Sequence, residues 1–330
     1  MNSIINNPIL ERNQKCIINT DLDGILAALM LHNFLDWQIV GFCDSAENIW
    51  LDRYKCKTLK EAVFIDMFVA TKKTRCIDQH IVAFDEKANN KILRNPNKLN
   101  PNLLNTRCFM PDSSYYTKYP FGTVHFIIAL LENQGLDVEL DLSKNVIGHI
   151  KLIDIFLRAD DALLTSTFSN YVDNAEEWWK WLLDLSNKGK TTNSFCDYIE
   201  ETRTSSTEKK TKALKNGIAD LLISSPFYCS SPDGGYKGHD ELGRNTLNQY
   251  VRTYIYFIAE TACLKPFELE LNLTLYTGKA LRCRFSSDTI NMIKADPGNF
   301  LFSYAFVRSS QRNNNFSYTL MPNSFKSLIE

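Results

Sequence analysis

The sequence lacks the features that mark secreted, membrane-spanning or strongly basic proteins. Its 37 basic and 38 acidic side chains leave a net charge of −1, so no overall positive field favours nucleic acid. No apolar run approaches the roughly 18 residues that a membrane-spanning helix needs. The N-terminal segment has no basic region followed by an apolar core, which a signal peptide requires. We therefore predict a cytoplasmic protein with no membrane partner.

A disulfide framework is also missing. The nine cysteines are scattered singly, and none forms a CxxC pair. An odd number of cysteines without regular spacing is typical of free thiols in a reducing compartment. The hydrophobic share of 44% fits a soluble globular chain, and the length of 330 residues suits two domains.

Short apolar segments alternate with helical segments in the first part of the chain. The strand-like segments lie in "KCIIN", "WQIVGFC", "KEAVFIDMF" and "TRCIDQHIVAFD", and the helical patterns cover 25–35, 120–135, 143–164 and 174–189. Strands that alternate with helices are typical of an α/β fold with a mainly parallel sheet. We predict such a domain over residues 1–190, with helices on both faces of the sheet.

The texture of the sequence changes after this domain. Residues 191–245 are polar and rich in turn-forming residues, which predicts a linker and loop region. Residues 246–330 predict a smaller α+β domain with an antiparallel sheet. Its strand-like segments are "YIYFIAET", "FELELNLTLYTG", "ALRCRF", "FLFSYAFVRSS" and "FSYTLM".

Acidic side chains follow three of the predicted strands. Asp21 and Asp23 follow the first strand, Asp66 ends the third, and Asp78 and His80 end the fourth. The carboxyl ends of parallel strands meet at one edge of a sheet, so these side chains should converge. Crowded carboxylates need cations, and oxygen ligands with a minority of nitrogen suit Mn²⁺ or Mg²⁺. Two such ions are a standard device for phosphoester hydrolysis.

Three segments resemble the motifs of one enzyme family. "NTDLDGILAA", "VFIDMF" and "IDQH" look like the first three motifs of the DHH phosphoesterases, and "FGTVHFIIALLE" looks like the helix that leads to the fourth. The family includes RecJ-like exonucleases, oligoribonucleases, cyclic-dinucleotide phosphodiesterases and inorganic pyrophosphatases. The resemblance covers about the first 165 residues. It implies a DHH-type parallel-sheet domain and two metal ions in one active site.

The resemblance also implies a role for each matching residue. Asp21 and Asp23 would bind the metals, Asp66 would bridge both ions, and His80 would bind one of them. Asp78 would not bind a metal itself but would orient one of the metal ligands.

The fourth motif supplies one more aspartate to the metals. "LIDIFLRADDALL" offers Asp154, Asp160 and Asp161 for this role. We favour Asp160 because of its position after the preceding helix, and Asp154 is the next candidate.

Two residues depart from the family pattern. Asn19 stands where the first motif has a histidine, and it could offer only a neutral carbonyl oxygen as a weaker ligand. Gln79 stands where the third motif has its first histidine, and an amide can donate a hydrogen bond but cannot carry a proton. One metal subsite would then be weak or empty.

The substrate-binding candidates lie in the second half of the chain. Arg308 and Arg312 in "FVRSSQRN" resemble the arginine strand that contacts phosphate in the family. The loop "DGGYKGHDE", which contains His239, is either an ordinary turn or a phosphate-binding loop. His125, on an apolar helical pattern, is predicted to be a core histidine.

These observations support two functions of different classes. The first is a metal-dependent phosphodiesterase that acts on nucleotides or on short RNA or DNA through a metal-activated water. The alternative is a degenerate DHH-fold protein that binds nucleic acid, a nucleotide or a partner without hydrolysis. A phosphomonoesterase is a third and weaker option, and the sequence leaves open whether the chain forms a homo-oligomer.

Overall fold

The computed structural model describes residues 7–83, 85–105, 117–236, 247–307 and 316–329. Twelve strands lie in this part of the chain. They are β1 (Lys15–Asn19), β2 (Gln38–Cys43), β3 (Asn48–Asp52), β4 (Ala62–Ile65), β5 (Arg75–Ile77), β6 (Lys98–Leu99), β7 (Asn145–Ile147), β8 (Ile150–Lys151), β9 (Leu273–Thr277), β10 (Lys279–Cys283), β11 (Asn299–Phe306) and β12 (Phe316–Pro322).

Seven of the strands form a central sheet in the order β6-β5-β4-β1-β2-β3-β9. The five strands from β6 to β2 are parallel. Strand β3 runs antiparallel to both β2 and β9. The predicted α/β fold with a mainly parallel sheet is confirmed, and so is a small antiparallel sheet near the C-terminus, with strand order β10-β12-β11.

The described α-helices connect and cover these strands. They are α1 (Leu22–Leu35), α2 (Glu86–Leu93), α3 (Pro101–Leu104), α4 (Thr123–Asn133), α5 (Leu152–Arg158), α6 (Ala162–Phe168), α7 (Val172–Leu185), α8 (Lys190–Ser205), α9 (Glu208–Ile223), α10 (Gln249–Thr261) and α11 (Ser287–Ala295). Among these helices, none has both the length and the apolar character that a bilayer span requires.

The two faces of the sheet are covered differently. Side chains alternate between the faces of a strand, so Cys16 and Ile18 of β1 join the core that contains α1 and α4, whereas Ile17 joins the opposite core. The opposite core is closed mainly by the small sheet, through Phe302 of β11 and Met321 of β12. Long helices therefore cover one face, and the other face carries a second sheet with short helices.

Two backbone contacts fix the small sheet against the large one. The Ala70 N–H donates to the Phe302 carbonyl at 2.6 Å, and the Phe306 N–H donates to the Ile81 carbonyl at 2.8 Å. Ala70 and Ile81 follow β4 and β5. The C-terminal sheet is thus held next to the carboxyl ends of the central strands.

The segment "YIYFIAET" is a helix, and its prediction as a strand is wrong. The segment is rich in β-branched and aromatic residues, which favour strands. This composition hides the helical spacing of its buried residues. The buried positions of α10 are Val251, Tyr254, Ile255, Ile258, Ala259 and Thr261. This is the three-to-four-residue repeat of a helix with one buried face.

Two other segments also differ from expectation. The segment 143–164 begins with the hairpin of β7 and β8 before α5 and α6. The predicted linker contains α8 and α9, whose buried faces include Phe195, Ile199, Ile218 and Leu222. The eight cysteines of the described residues are free thiols, as predicted.

Candidate metal centre

The candidate site lies at the carboxyl ends of three adjacent strands. Asn19 is the last residue of β1, Asp66 follows β4, and Asp78 follows β5. These strands are neighbours in the sheet, so the chain places the three residues side by side. Asp66 has a φ of 61°, which turns the chain sharply out of the strand. Aspartate tolerates this left-handed conformation better than most residues.

Asp66, Asp78 and His80 form one cluster. A potential ligand atom of each lies within 4.8 Å of the corresponding atoms of the other two. Both aspartates are buried, whereas the His80 side chain keeps 33% of its surface exposed. The cluster therefore has a buried acidic side and an imidazole that solvent can reach.

Asp78 holds the imidazole of His80 in place. Its Oδ1 lies 2.7 Å from His80 Nδ1, and its Oδ2 accepts from the His80 backbone N–H at 3.1 Å. Asn100 donates from Nδ2 to the same Oδ2 at 3.2 Å and to the His80 carbonyl at 2.8 Å. Since Nδ1 faces Asp78, the free nitrogen of the ring is Nε2.

Asp23 contacts the start of α4. Its Oδ2 accepts from the Thr123 N–H at 2.7 Å and its Oδ1 accepts from the Val124 N–H at 2.8 Å. The N-cap residue Gly122 has no side chain to do this. A Cβ at Gly122 would overlap the Asp23 carboxylate, so glycine is required for this close approach. The predicted metal ligand Asp23 is therefore also a helix cap.

Thr123 ties α4 to the acidic cluster as well. Its Oγ1 donates to Asp66 Oδ1 at 2.8 Å. One residue thus contacts Asp23 through its backbone and Asp66 through its hydroxyl. Sequence reasoning missed Thr123, although it lies in the quoted segment "FGTVHFIIALLE" at the predicted start of a helix.

Asn19 lies between Asp21 and Asp66. Its Nδ2 donates to Asp21 Oδ2 and to Asp66 Oδ2, each at 2.8 Å. Its Oδ1 accepts from the Thr20 N–H at 2.8 Å, which fixes the amide in this orientation. The predicted ligand role needs the carbonyl oxygen to face the carboxylates. Here the nitrogen faces them, so Asn19 bridges two acids as a neutral donor.

Gln79 and Asp160 form the far side of the cluster. Gln79 Nε2 donates to Asp160 Oδ2 at 3.0 Å. Gln79 Oε1 is buried without a hydrogen-bond partner among the described residues. Asp160 has a φ of 50° at the kink between α5 and α6.

The other two candidates for the fourth motif are engaged elsewhere. Asp154 accepts from the Lys151 N–H at 2.8 Å and from the Tyr198 hydroxyl at 2.5 Å. Asp161 pairs with Arg158 at 2.8 Å and with Lys215 at 2.6 Å. Of the three aspartates, Asp160 is the one in hydrogen-bond contact with Gln79.

The buried carboxylates raise one another's pKa. Burial raises the pKa of Asp66 well above its ordinary value, and the charge of Asp23 raises it further. Burial also raises the pKa of Asp21, with Asp66 as the next cause. Removing carboxylates from water disfavours their charged form, and neighbouring negative charges add to this effect. A cation at this point would reverse it.

The neighbouring negative charges raise the pKa of the His80 imidazole as well. Burial lowers the pKa of His80, but the charges of Asp78, Asp66 and Asp160 more than offset this and raise it to about 10. These charges favour the protonated ring in the absence of a metal. A metal ligand must be deprotonated, so metal binding at His80 would release this proton.

A cleft opens over Asn19 and Asp21. It has a volume of about 410 Å³ and reaches the small sheet. Arg282 of β10 lines it on that side, and sequence reasoning missed this residue. Arg282 is exposed and makes no ion pair with another described residue. The cleft therefore has acidic residues on one wall and a cation on the other.

The loop 230–236 forms a third wall of the cleft. Ser231, Asp233 and Gly235 line it, and the Asp233 carbonyl accepts from the Leu22 N–H at 3.0 Å. The buried Arg158 donates to Asp233 Oδ1 at 3.0 Å. The first part of "DGGYKGHDE" therefore lies at the site. The predicted substrate-binding residues His239, Arg308 and Arg312 lie outside the described residues.

Comparison with other proteins gave no relative. No family model, no curated protein and no solved structure matches this chain.

Proposed function

We propose that this protein is a metal-dependent phosphodiesterase of the DHH type that acts on nucleotides or on short nucleic acids. The observation that carries the proposal is the convergence of Asp66, Asp78 and His80, whose potential ligand atoms lie within 4.8 Å of one another. Asp21 and Asp66 are linked through the amide of Asn19, which brings a fourth ionisable group to the same point.

The donor set fits Mn²⁺ or Mg²⁺. Carboxylate oxygens with one imidazole nitrogen are the ligands that hard divalent cations prefer, and the cluster contains no thiolate among the described residues. Among the described residues, the hydrogen-bond donors to the Asp66 carboxylate are Asn19 and Thr123, and both are neutral. Its charge is therefore not neutralised by hydrogen bonding alone. Asp21, Asp23, Asp66, His80 and Asp160 would hold the metals.

Bound divalent cations supply charge neutralisation and lower the pKa of water towards neutrality. The chain's own residues supply position. Asp78 orients His80 through Nδ1 and leaves Nε2 free for a metal or a proton. Arg282, across the cleft from Asp21, provides a guanidinium that matches a phosphate group. Gln79 holds Asp160 through its amide nitrogen.

A metal-dependent hydrolysis assay tests the proposal. We expect Mn²⁺ to support hydrolysis of bis(nitrophenyl) phosphate, and Asp66→Asn to reduce the rate by at least about 100-fold. Mutating a residue that merely orients a metal ligand already lowers activity or metal affinity by about 10- to 100-fold, and Asp66 is a proposed ligand itself. Asp36→Asn is the matched control, because Asp36 is an exposed acid at the opposite end of α1 in a left-handed turn that asparagine also accepts. Full activity in Asp66→Asn would exclude this site.

One observation favours the non-hydrolytic alternative. The Asn19 amide satisfies one oxygen each of Asp21 and Asp66 without any metal, which reduces the need for a cation between them. A protein that is inert with Mn²⁺, Mg²⁺ and Co²⁺ on diesters, RNA and cyclic dinucleotides would support binding without cleavage. Restoring the family residue with Asn19→His should then increase Mn²⁺ affinity in calorimetry.

A further inference from the structure

A second concave surface lies outside the metal centre. It is a groove of about 1570 Å³ between α2, the segment that follows β4, and the small sheet. Phe68 and Ala70, just beyond Asp66, line it together with Tyr304 of β11. We call this surface the basic groove, because of the charges described next.

The basic groove concentrates positive charge in a chain whose net charge is −1. Two acidic residues line it, Asp85 and Glu86, and Asp85 is occupied as the N-cap of α2. The six cationic residues that line it are Lys72, Lys87, Lys91, Arg94, Lys98 and Lys294. The lining therefore has four net positive charges. An excess of one sign along one surface is the electrostatic footprint of an anionic ligand.

One of the six cations has a structural role. Lys98 is buried, and its Nζ donates to the carbonyls of Val69, Thr71 and Thr74. The other five are exposed and form no ion pair with another described residue. Some lysines on other exposed helices are paired, as Lys180 is with Glu176 at 2.8 Å. The charge of the basic groove is therefore not compensated from within the described chain.

The spacing of the cations suits an extended ligand. Lys87 and Lys91 are four residues apart on α2, so they lie on one face of the helix, and Arg94 follows where the helix ends. Lys294 lines the groove from a different helix, α11. The volume exceeds the range of roughly 300–1000 Å³ typical of small-ligand pockets. A row of cations along an open groove matches successive phosphates better than one small anion.

We infer that the basic groove binds single-stranded nucleic acid, with phosphates held by Lys87, Lys91 and Lys294. The half-buried Tyr304 and the buried Phe68 both line the groove and meet edge to face, at 5.0 Å between ring centroids. Cationic grooves that contain aromatic rings are the usual surface for single strands. The inference rests on the proposed function only in its preference for nucleic acid over an acidic protein segment, and it would make the substrate an oligonucleotide rather than a mononucleotide.

Binding is tested on the full chain without metal, so hydrolysis plays no part. Fluorescence anisotropy measures the affinity of a labelled oligo(dT) of about 20 nucleotides in EDTA, at salt concentrations from about 50 to 200 mM. We expect Lys87→Glu with Lys91→Glu to weaken binding by at least about tenfold and to flatten its salt dependence. The milder pair Lys87→Ala with Lys91→Ala should give a smaller loss.

The matched control carries the same charge change on another exposed helix. Lys209→Glu with Lys210→Glu lies on the first turns of α9, and neither lysine is ion-paired with a described residue. We expect less than about a twofold change in this variant. Equal losses in both pairs, or undiminished binding in the α2 pair, would refute the inference. Equal competition by polyglutamate of the same charge would also refute it, in favour of an acidic protein.

The test separates this inference from the proposed function. Strand binding in EDTA reports on the basic groove, whereas hydrolysis of a small diester with Mn²⁺ reports on the metal centre, whose residues do not line the groove. Strand binding without any hydrolysis would refute the proposed phosphodiesterase and support the groove. Hydrolysis of a small diester without strand binding would support the phosphodiesterase and refute the groove.

Discussion

Helix α4 has a buried carboxylate near each end, and the two make the same kind of contact in different surroundings. At its start, Asp23 accepts from the Thr123 and Val124 N–H groups of α4 itself. Near its other end, Glu132 accepts from the Thr191 N–H at 2.7 Å and the Thr192 N–H at 3.2 Å, at the start of α8. Both carboxylates therefore satisfy the free N–H groups at the start of a helix.

In both cases the N-cap residue of the helix is a glycine. Gly122 is the N-cap residue of α4 and Gly189 is that of α8. A Cβ at either position would overlap the carboxylate that caps the helix. The local geometry is thus repeated, and it cannot by itself distinguish a functional carboxylate from a structural one.

The neighbours make the difference. Burial raises the pKa of both carboxyl groups. At Asp23 the next causes are the charges of Asp160 and Asp21, which raise it further, whereas at Glu132 they are hydrogen bonds from Thr192 and Thr191, which lower it. Glu132 is stabilised by its contacts alone. Asp23 is one of several closely spaced carboxylates, and its proposed function depends on those neighbours.

The sharpest test of this comparison is to remove one charge at each end. We expect Glu132→Gln to lower the free energy of unfolding by about 1–3 kcal/mol, because it loses a charged acceptor of buried N–H groups. Asp23→Asn should cost less, because losing its charge also relieves repulsion from Asp160 and Asp21. Only Asp23→Asn should also reduce Mn²⁺-dependent diester hydrolysis, by at least about 100-fold. Urea unfolding in EDTA and steady-state rates measure the two effects.

The comparison would fail in either of two ways. Equal loss of activity in both variants would mean that the effect comes from destabilised packing of α4. Undiminished activity in a folded Asp23→Asn protein would assign Asp23 to capping alone. Each rate is expressed per folded molecule, with the folded fraction taken from the unfolding curves. A loss of stability is then not mistaken for a loss of catalytic activity.

A second and smaller effect is expected at the two glycines. Gly122→Ala and Gly189→Ala should each cost about 1–3 kcal/mol, since a methyl group forces the capping carboxylate to move. In Gly122→Ala, the displaced carboxylate is that of Asp23, so the rise in melting temperature that Mn²⁺ causes should shrink. The same rise should persist in Gly189→Ala. Thermal melts with and without Mn²⁺ decide, and an identical response of both variants would contradict the comparison.

The smallest expected effect concerns His125, a buried histidine of α4. His125 contacts Phe121, Trp179 and Phe195 with ring centroids 5.3–6.2 Å apart, and burial lowers its pKa to about 3. The folded protein binds this proton less readily than the unfolded chain, so the stability it retains above about pH 6.5 is lost as the pH falls towards 3.

Replacing this histidine isolates its contribution. His125→Phe cannot be protonated and keeps an aromatic ring in the pocket. At about pH 5.5 the unmodified protein should have lost about 1 kcal/mol relative to neutral pH through His125, and the variant should not. Urea unfolding at the two pH values measures the difference. Parallel losses in the two proteins would show that His125 does not titrate on unfolding.

The sequence predicts the frame of the site better than its contacts. Strand-like segments that end in Asp66 and Asp78 are visible as apolar runs, and parallel packing then implies that the two acids meet. The orientation of Asn19 could not be predicted, because it depends on the Thr20 N–H that holds its oxygen. The bond from Thr123 to Asp66 joins residues 57 positions apart, and no local pattern carries such a pairing.

The fold shows the same limit at β3 and α10. Strand β3, "NIWLD", carries a weak signal in the sequence, because it is short, all five of its residues are buried, and its outer neighbour β9 comes from a distant part of the chain. The helical spacing in α10 was present in the sequence, but its aromatic and β-branched residues favoured a strand. Composition alone was the weaker signal there.

The position of β9 has a consequence for synthesis of the protein. Strand β3 ends at Asp52, yet its outer neighbour runs from Leu273 to Thr277 and pairs with it along its whole length. A ribosome adding about 5–20 residues per second needs roughly 10–45 seconds to make the intervening chain. During that time the nascent sheet exposes an unpaired edge, and such an edge can pair with another chain. The time that nascent chains spend in this state, and any chaperone that shields β3, would then govern the yield of native protein in the cell.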